Sequence, residues 1–590
     1  MLKFINNQYS SLISEISDRF SRLTEQIANQ DRKQKTFDEN EAYLLAKATH
    51  LIKSAEIGRA RRSLSNKFGV ADSSNQIIKG KIADKYPQVQ NNLQPLSDMK
   101  FPPCSEKLCT SIADAMRKAP TAKATGADGW RNGYLNVLGK PTFRPETMYG
   151  LAKMLAEYVC GQWPQKTWKW FGDLASIPLI KDVKGYTEPV RMPASALPTA
   201  QLKRVQDELE RAFKASAMGK EEDIKIRPVG IGSSLIATAR NAVVGFHKQQ
   251  VIKAGQGLQV ALMKDGIARA ALDMQTLADA NKGKLMLLSF DLTDAFQNIE
   301  RKILLQKILQ DPELAAMSGP LYMELIANEQ RVISTRDGPL KSEEGKLIRS
   351  THGITQGSKV GTTGLCITLN ETLIETADMV KEENGTVRGI ADDVLVAVSP
   401  LKVAQVTDFF KEKVQSFGGH INLNKSKYYL NSCRAREEEN YLQEIGMSRG
   451  YIQRDTCDDQ LPSTGEGLIF GGIPIGDENF ITLSMQEKMR NAATVVYRCC
   501  GRLKGDKLAY LWPILHYSLQ KLLIFHYRVI SPTIIEKVAG IFTSSLHHAF
   551  DTVRKQDPEA PKLNELMKMM LSLPFKQKGL GLTIKFVCPI

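Results

Sequence analysis

The sequence lacks the features that mark several common protein classes. Its nine cysteines form no Cys-x-x-Cys pair and no Cys/His cluster with zinc-ligand spacing, so neither a disulfide framework nor a zinc site is predicted. No apolar run reaches transmembrane length; the closest, residues 508–530, is interrupted by polar side chains and favours a core helix. An apolar signal segment is also missing from the N-terminus. We therefore expect reduced thiols, an intracellular location and no membrane partner.

Negative charge is scarce in the last part of the chain. The formal net charge of the 590 residues is +15, and residues 486–590 contain 16 Lys or Arg against 7 Asp or Glu. Such a balance favours a polyanionic partner without naming it, and a solvated helical face is the alternative. The length is sufficient for several domains around a large core.

Two stretches place carboxylates beside strand-forming residues. The apolar run that starts at Met286 leads into Asp291, which predicts a buried strand ending in a carboxylate. Asp392 and Asp393 interrupt a second apolar run at 389–398. Because burying two adjacent acids in a core is costly, we predict a hairpin with the acids at its tip. Taken singly, an Asp at a strand end is more often a turn former or a helix cap than a catalyst, and an Asp-Asp pair is also common in turns.

A third stretch lies between these two. Residues 352–364 place small residues at positions 357, 358, 361 and 364, ahead of an amphipathic run to about Val380. Small residues where a helix begins allow a planar or phosphorylated ligand to approach closely. In this order, the three stretches resemble the palm motifs of reverse transcriptases. The first is similar to F-D-x-x-x-A-F and the second to Q-G-S-x-x-G, while the third is similar to the Y-A-D-D box with Ile390 in the tyrosine position.

The resemblance covers about residues 120–585 and is to the reverse transcriptases of non-LTR (LINE-type) retrotransposons. The further matching segments are G-x-D-G at 126–129, an Arg-Pro fingertip pair at Arg227, N-x-x-K at Asn424 and Lys427, a primer-grip pattern at 468–476, and a Leu-Pro…Gly-Leu-Gly-Leu pattern at 573–582.

The resemblance implies an α+β right-hand polymerase: fingers, a palm with an antiparallel sheet, and a helical thumb, after a helical N-terminal extension. The implied parts are the extension at 1–118, fingers and the start of the palm at 119–284 with an insertion at about 185–223, the palm at 285–478, and a basic thumb at 479–590. Within the extension, apolar periodicity predicts helices at about 5–27 and 38–67, and residues 70–103 are expected to be a polar connector.

The implied reaction is primer extension with dNTPs by two-metal phosphoryl transfer, which makes the chain an RNA-directed DNA polymerase. Asp291, Asp392 and Asp393 are the expected metal ligands, since hard cations prefer carboxylate oxygens. The expected cofactor is a pair of Mg²⁺ ions, with Mn²⁺ as an alternative. Asp294 is expected to cap a helix or to form a structural ion pair.

Four further residues are expected to contact the substrates, and a fifth to act in catalysis. The resemblance places Phe296 where a bulky aromatic crowds a ribose 2′-OH and so favours deoxynucleotides; a core phenylalanine is the alternative. Gln356 and Gly357 are expected against the nucleotide and the template. Arg227 is expected to meet the triphosphate, and Lys427 to act as general acid for the pyrophosphate, although a surface arginine and a solvated lysine would give the same sequence.

The expected partners are an RNA template, a DNA or RNA primer, and dNTPs. Neither zinc fingers nor a nuclease carboxylate cluster is visible, so a separate endonuclease, a truncated copy and a domesticated gene all stay open. The alternative function is a non-catalytic RNA-binding scaffold with a polymerase fold. Phe296 disfavours an RNA-dependent RNA polymerase. A nuclear location is expected if the source is eukaryotic, and the sequence does not define template specificity or oligomeric state.

Overall fold

A computed structural model describes residues 37–65, 75–86, 101–120, 130–164, 174–183, 224–326, 332–453, 461–555 and 564–572, apart from isolated residues and short gaps in and between these ranges. The segments expected at 5–27, 126–129, 185–223 and 573–582 lie outside the described residues.

The described helices are α1 (Phe37–Lys53), α2 (Ile57–Leu64), α3 (Gln76–Ala83), α4 (Glu106–Arg117), α5 (Asn132–Leu138), α6 (Pro145–Val159), α7 (Ser234–Phe246), α8 (Lys248–Ala254), α9 (Gly266–Ala280), α10 (Ala295–Asn298), α11 (Arg301–Gln310), α12 (Ser318–Ile326), α13 (Lys359–Val380), α14 (Val403–Ser416), α15 (Arg436–Glu444), α16 (Glu478–Arg502), α17 (Leu511–Tyr517), α18 (Ile524–Tyr527), α19 (Pro532–Val538), α20 (Gly540–Arg554) and α21 (Glu565–Ser572).

The described strands are β1 (Leu174–Val183), β2 (Ile224–Ile231), β3 (Met286–Asp291), β4 (Val332–Ser334), β5 (Gly338–Pro339), β6 (Thr386–Ile390), β7 (Asp393–Val398), β8 (Lys427–Tyr429), β9 (Ser448–Arg449), β10 (Tyr451–Gln453), β11 (Thr464–Phe470) and β12 (Ile473–Gly476).

A sheet of five strands, in the order β6-β7-β3-β8-β9, carries the candidate site. Strand β3 lies at its centre, antiparallel to both β7 and β8. Its side chains alternate between two hydrophobic cores: Met286, Leu288 and Phe290 lie in one, and Leu287 lies in the other. Because both faces of the strand are covered, nearly every position in it is apolar. The prediction of a buried strand ending at Asp291 is confirmed.

The two cores contain different elements. The core of Phe290 includes buried residues of α13 and α14, and the Phe290 ring stacks on Phe410 with ring centroids 4.7 Å apart. The core of Leu287 includes the β11–β12 hairpin and the C-terminal helices from α16 onward. The palm sheet is therefore held between one helical layer and a second layer built by the C-terminal part of the chain.

A second sheet has the order β2-β1-β4-β5. Strands β1 and β2 form a long antiparallel pair in which Leu179 lies opposite Arg227. The second of these strands carries the Arg-Pro pair, and the assignment of the two strands to the fingers stays a prediction. The α+β polymerase fold, with helices dominant, is confirmed, whereas the residue boundaries of its parts stay predictions.

The N-terminal extension differs from the expectation in two places. The helix expected at about 38–67 is two helices, α1 and α2, because Ala55 between them has a left-handed backbone (φ 57°). The expected connector at 70–103 contains α3, which begins where the Asn75 side chain accepts hydrogen bonds from the backbone N–H groups of Ile77 and Ile78.

The segment 508–530, expected as one core helix, consists of short helices that include α17 and α18. Its apolar side chains, among them Leu511, Ile514 and Leu515, are buried, so the predicted core position is confirmed, whereas the prediction of one continuous helix is wrong. In the described part of the chain, no helix combines the length and the apolar character needed to cross a membrane.

Candidate active site

The tip of the β6–β7 hairpin carries the acid pair. Ile390 and Asp393 are paired across the two strands, so Ala391 and Asp392 form the connecting turn. Ala391 has a left-handed backbone (φ 56°), as tight hairpin turns require. The prediction that the acids lie at a hairpin tip is confirmed.

Gln259 holds this turn from outside the hairpin. Its side chain is 5% exposed; Oε1 accepts a hydrogen bond from the N–H of Ala391 (2.9 Å), and Nε2 donates to the carbonyl of Ala391 (3.2 Å). A buried amide that satisfies both backbone groups of one turn residue fixes the turn in place. Sequence reasoning missed Gln259, because no local pattern marks a residue whose partner lies 132 positions away.

The sheet register brings the third carboxylate to the same place. Asp291, at the end of β3, lies directly opposite Asp393 in β7. Burial, followed by the negative charges of Asp392 and Asp291, raises the pKa of Asp393 to about 6. Asp393 nevertheless keeps an exposed surface, so water and ions reach it. The three acids predicted from separate stretches are thus neighbours, and their mutual repulsion is incompletely compensated.

These acids suit a divalent cation by their chemistry. Carboxylate oxygens are the ligands that hard cations such as Mg²⁺ prefer, and a cation would relieve the repulsion that raises the pKa of Asp393. Across the described ranges, no three His, Cys, Asp or Glu side chains are already gathered closely enough to hold a metal ion. The identity and number of metal ions therefore stay predictions.

The loop before β8 is attached to the end of β3. The N–H of Asp291 donates to Oγ of the fully buried Ser426 (3.1 Å), and the carbonyl of Asp291 accepts from the N–H of Asn422 (2.7 Å). Lys425 in this loop lies 3.8 Å from the Asp291 carboxylate, measured from Nζ to Oδ2. Lys425 is a second residue that the sequence did not mark, since it is one of several lysines in a polar segment.

A cavity of about 200 Å³ lies on one side of the acids. Asp291 and Asp392 line it, together with Phe296 and Gln356. Asp291, Asp392 and Gln356 were predicted to contact metal or nucleotide. They line the same cleft as Phe296, the proposed sugar gate. Charged residues that also line it are Lys85, Asp294 and Lys425.

Phe296 is fixed by the segment that precedes Gln356. Its carbonyl accepts a hydrogen bond from the N–H of Ile354 (2.7 Å). Gly353 approaches so closely that a Cβ there would lie 2.4 Å from the same carbonyl, and its φ is +64°, so only glycine fits. The half-buried Phe296 packs partly against the core while also lining the cavity.

The buried side chain of Arg301 holds the segment before Gln356 by hydrogen bonds to its backbone. The side chain is 4% exposed and donates hydrogen bonds to the carbonyls of Gly353 (2.6 Å), His352 (2.9 Å) and Ser350 (3.1 Å). Burial lowers the pKa of Arg301 to about 9, and the charge of Glu324 opposes that shift. Sequence reasoning missed this residue, because an arginine that begins a helix is usually solvated.

Gly357 and Lys427 lie away from the Phe296 cavity. Gly357 has φ +103° and lines a different cavity of about 290 Å³ between β2 and the N-terminal end of α13. Lys427 lines a third cavity, of about 200 Å³, with Asp291, Asp393 and the β11–β12 hairpin. The structure therefore brings Lys427 to the acids but not to Phe296 and Gln356, and its role as general acid stays a prediction. The side chain of Arg227 lies outside the described residues.

Carboxylates at a strand end and at the adjoining hairpin tip of one antiparallel sheet are the arrangement expected of the palm of a nucleotide polymerase. Residues 220–456 match the family described as reverse transcriptase (RNA-dependent DNA polymerase). This match covers 237 of the 590 residues and indicates a domain of the reverse transcriptase type; the enzyme class that such a domain defines is an RNA-directed DNA polymerase, a nucleotidyltransferase. Reverse transcriptase domains use divalent metal ions and an RNA template.

Solved structures give more distant likenesses. The telomerase from Candida albicans in complex with a TWJ fragment of telomeric RNA is 9% identical, with a TM-score of 0.31 over 59% of this chain and 62% of that chain. The corresponding Candida tropicalis complex is 11% identical (TM-score 0.32; 62% and 63%). Apo telomerase from Candida tropicalis is 10% identical (TM-score 0.33; 89% and 98%). Likenesses this distant do not identify the subfamily. A search of curated proteins finds no match.

Proposed function

We propose that this protein is the reverse transcriptase of a non-LTR retrotransposon, extending a DNA or RNA primer with dNTPs on an RNA template. The observation that carries the polymerase activity is the pairing of Asp291 with Asp393 across β3 and β7, beside a cavity that Phe296 and Gln356 line. The subfamily is supported by sequence segments at 126–129 and 573–582.

Asp291, Asp392 and Asp393 are the residues that would hold divalent metal ions, and we propose a pair of Mg²⁺ ions. Such ions, when bound, neutralise charge on the attacking and leaving oxygens of phosphoryl transfer. The chain itself fixes where these carboxylates stand: Gln259 holds the turn that carries Asp392, and Ser426 holds the backbone of Asp291. Preorganised ligands of this kind reduce the cost of assembling the reactive geometry.

Phe296 and Gln356 define the nucleotide side of the site in this proposal. The Phe296 ring crowds a ribose 2′-OH, so deoxynucleotides enter and ribonucleotides are rejected. Phe296 can discriminate in this way because its backbone is held by Ile354. Gln356 lies on the same cavity and orients the base or sugar by hydrogen bonding. We further propose that a separate endonuclease acts with this polymerase, and that both work in the nucleus of a eukaryotic source.

Primer extension with dTTP and Mg²⁺ on poly(rA)/oligo(dT) tests the polymerase assignment. Wild-type protein should extend the primer, and the double variant Asp392→Ala, Asp393→Ala should lose at least about 100-fold in rate, because the ligands of the metal ions are removed. The matched control is Asp378→Ala, which removes an exposed carboxylate from α13 and should leave the rate unchanged.

Two other results would redirect the assignment. A folded wild-type protein that binds RNA without extending the primer would favour the RNA-binding scaffold. Incorporation of UTP on the same template, in place of dTTP, would refute the gating role of Phe296 and indicate an RNA polymerase.

A further inference from the structure

A short segment of the N-terminal extension is attached to the fingers sheet. Ile78 and Ile82 of α3 are fully buried in a small core with Ile224 and Ile226 of β2. The Nζ of Lys81 donates a hydrogen bond to the carbonyl of Ile224 (2.7 Å). Apolar packing and this bond fix the end of α3 against the strand that carries the Arg-Pro fingertip pair.

The residue that follows α3 closely in sequence reaches the palm. Nζ of Lys85 lies 2.7 Å from Oδ2 and 2.9 Å from Oδ1 of Asp294, a residue 209 positions away. Asp294 has a left-handed backbone (φ 42°) at the start of α10, and its side chain caps no helix N–H. Asp294 was expected either to cap a helix or to form a structural ion pair, and in the structure it forms the ion pair. Lys85 therefore bridges the extension and the end of β3.

This ion pair lies inside the cavity that we assign to the nucleotide. Lys85 and Asp294 line the same space as Asp291, Phe296 and Gln356. The side chain of Lys85 is 33% exposed and that of Asp294 is 45% exposed, so the ammonium group has access to a ligand in the cavity. An exposed lysine–carboxylate pair contributes little to folding stability, and exchanging the carboxylate for a more highly charged anion is correspondingly inexpensive.

The cavity also presents an electrostatic problem for its proposed substrate. Three carboxylates line it, those of Asp291, Asp294 and Asp392, and all of them repel a triphosphate. Lysine is a compact cation with three donors and binds phosphate as a point charge. Of the cationic side chains that line the cavity, Lys425 lies close to Asp291, whereas Lys85 lies at Asp294, on the side of the extension.

We propose that Lys85 binds the triphosphate of the incoming nucleotide, leaving Asp294 as the nucleotide enters. The N-terminal extension would then supply a substrate-binding residue in addition to its packing role. This inference rests on the proposed polymerase function. It assigns to Lys85 a role in substrate binding and no role in proton transfer.

Equilibrium nucleotide binding tests this role apart from catalysis. A primer with a dideoxy end, annealed to an RNA template, forms a complex with the protein that the next complementary dNTP stabilises without reacting. With Mg²⁺ present, Lys85→Ala should weaken the Kd for that dNTP by about 10- to 100-fold, the loss expected for hydrogen bonds to a charged group. Lys85→Arg should restore most of the affinity because it keeps the cation.

The matched control is Lys253→Ala. It removes another exposed lysine–carboxylate pair, with Glu313 (2.5 Å), at a place that does not line the cavity, and should leave the Kd for dNTP unchanged. Affinity for the primer–template itself should be equal in wild type, Lys85→Ala and Lys253→Ala.

The double variant Lys85→Ala, Asp294→Asn separates phosphate binding from neutralisation of Asp294. If Lys85 contacts the triphosphate, the double variant keeps the weakened Kd, and Asp294→Asn alone binds dNTP at least as tightly as wild type. Return of the double variant to the wild-type Kd would overturn the proposal, as would an unchanged Kd in Lys85→Ala. A wild-type protein that neither extends primers nor binds dNTP would refute the polymerase function instead.

Discussion

At the scale of single residues, the negative charge of Asp393 lowers the stability of the folded chain. Its pKa in the folded chain is about 6, above the value of about 3.9 for an unperturbed aspartate. The folded state therefore binds the proton more tightly than the unfolded state, so ionisation lowers the free energy of unfolding as the pH rises from about 4 to about 6. Above that range the penalty is complete, and below it the penalty is absent.

Asp393→Asn should therefore stabilise the metal-free protein at pH 7.5. We expect a gain of about 1 kcal/mol in the free energy of unfolding, reduced by solvent screening at an exposed side chain, and no gain near pH 4. Thermal unfolding in EDTA at both pH values measures it. The control is Asp378→Asn, which removes an exposed carboxylate of α13 and should leave the free energy of unfolding unchanged at pH 7.5; equal gains for Asp393→Asn at both pH values would contradict the charge repulsion.

The sequence revealed the three acids because each follows or interrupts an apolar strand pattern that local rules can interpret. It could not reveal Gln259, Arg301, Lys425 or Lys85, since each acts on a partner that only the folded chain brings near. Phe296 falls between these cases: its offset from Asp291 was visible, whereas its anchoring by Gly353 and Ile354 depends on packing.

At the scale of elements, the segment before Gln356 depends on a buried arginine in α11. Arg301→Met should lower the free energy of unfolding by about 3 kcal/mol, because it leaves the carbonyls of Ser350, His352 and Gly353 without their donor. Urea unfolding measures the loss. The control is the exposed neighbour Lys302→Met, for which little change is expected; similar losses in the two variants would contradict the supporting role.

Helix α3 explains why the connector was misjudged. Its eight residues are too few for a helix to be stable by itself, and the surrounding sequence is polar and proline-containing. The Asn75 cap was visible, but the helix depends on packing against β2, about 140 residues later. The division of the expected helix at 38–67 had no local signal either, because neither Gly nor Pro marks Ala55.

At the scale of the whole molecule, the positive charge should control nucleic-acid affinity. The net charge is +15, so binding of an RNA–DNA hybrid should release counterions. Its Kd should weaken by about 10³-fold between 50 and 200 mM KCl if six or more phosphates are contacted. Equilibrium binding across this range measures the slope, and thermal unfolding at both salt concentrations controls for loss of fold. A Kd independent of salt would contradict a polyanion partner.

The overall fold could be predicted from the sequence because its three motifs, in chain order, resemble the palm motifs of reverse transcriptases. The sequence did not show how the two cores are divided. The apolar residues of β3 do not indicate which face packs against α13 and which packs against the C-terminal helices. The segments at 126–129 and 573–582 lie outside the described residues, so the subfamily assignment depends on sequence.

At the hairpin tip, the contacts that fix the acids differ from the contacts that limit the side chain at position 390. Gln259 recognises only backbone atoms of Ala391, and Ile390 packs beside Gly471, where a Cβ would lie 2.6 Å from its Cδ1. Position 390 is therefore constrained by the space beside a glycine, and the aspartates by an amide elsewhere in the chain. Substitution of Gln259 would remove both hydrogen bonds to the turn, and a side chain at position 471 would collide with Ile390, so either change is expected to move the hairpin tip that carries the acids.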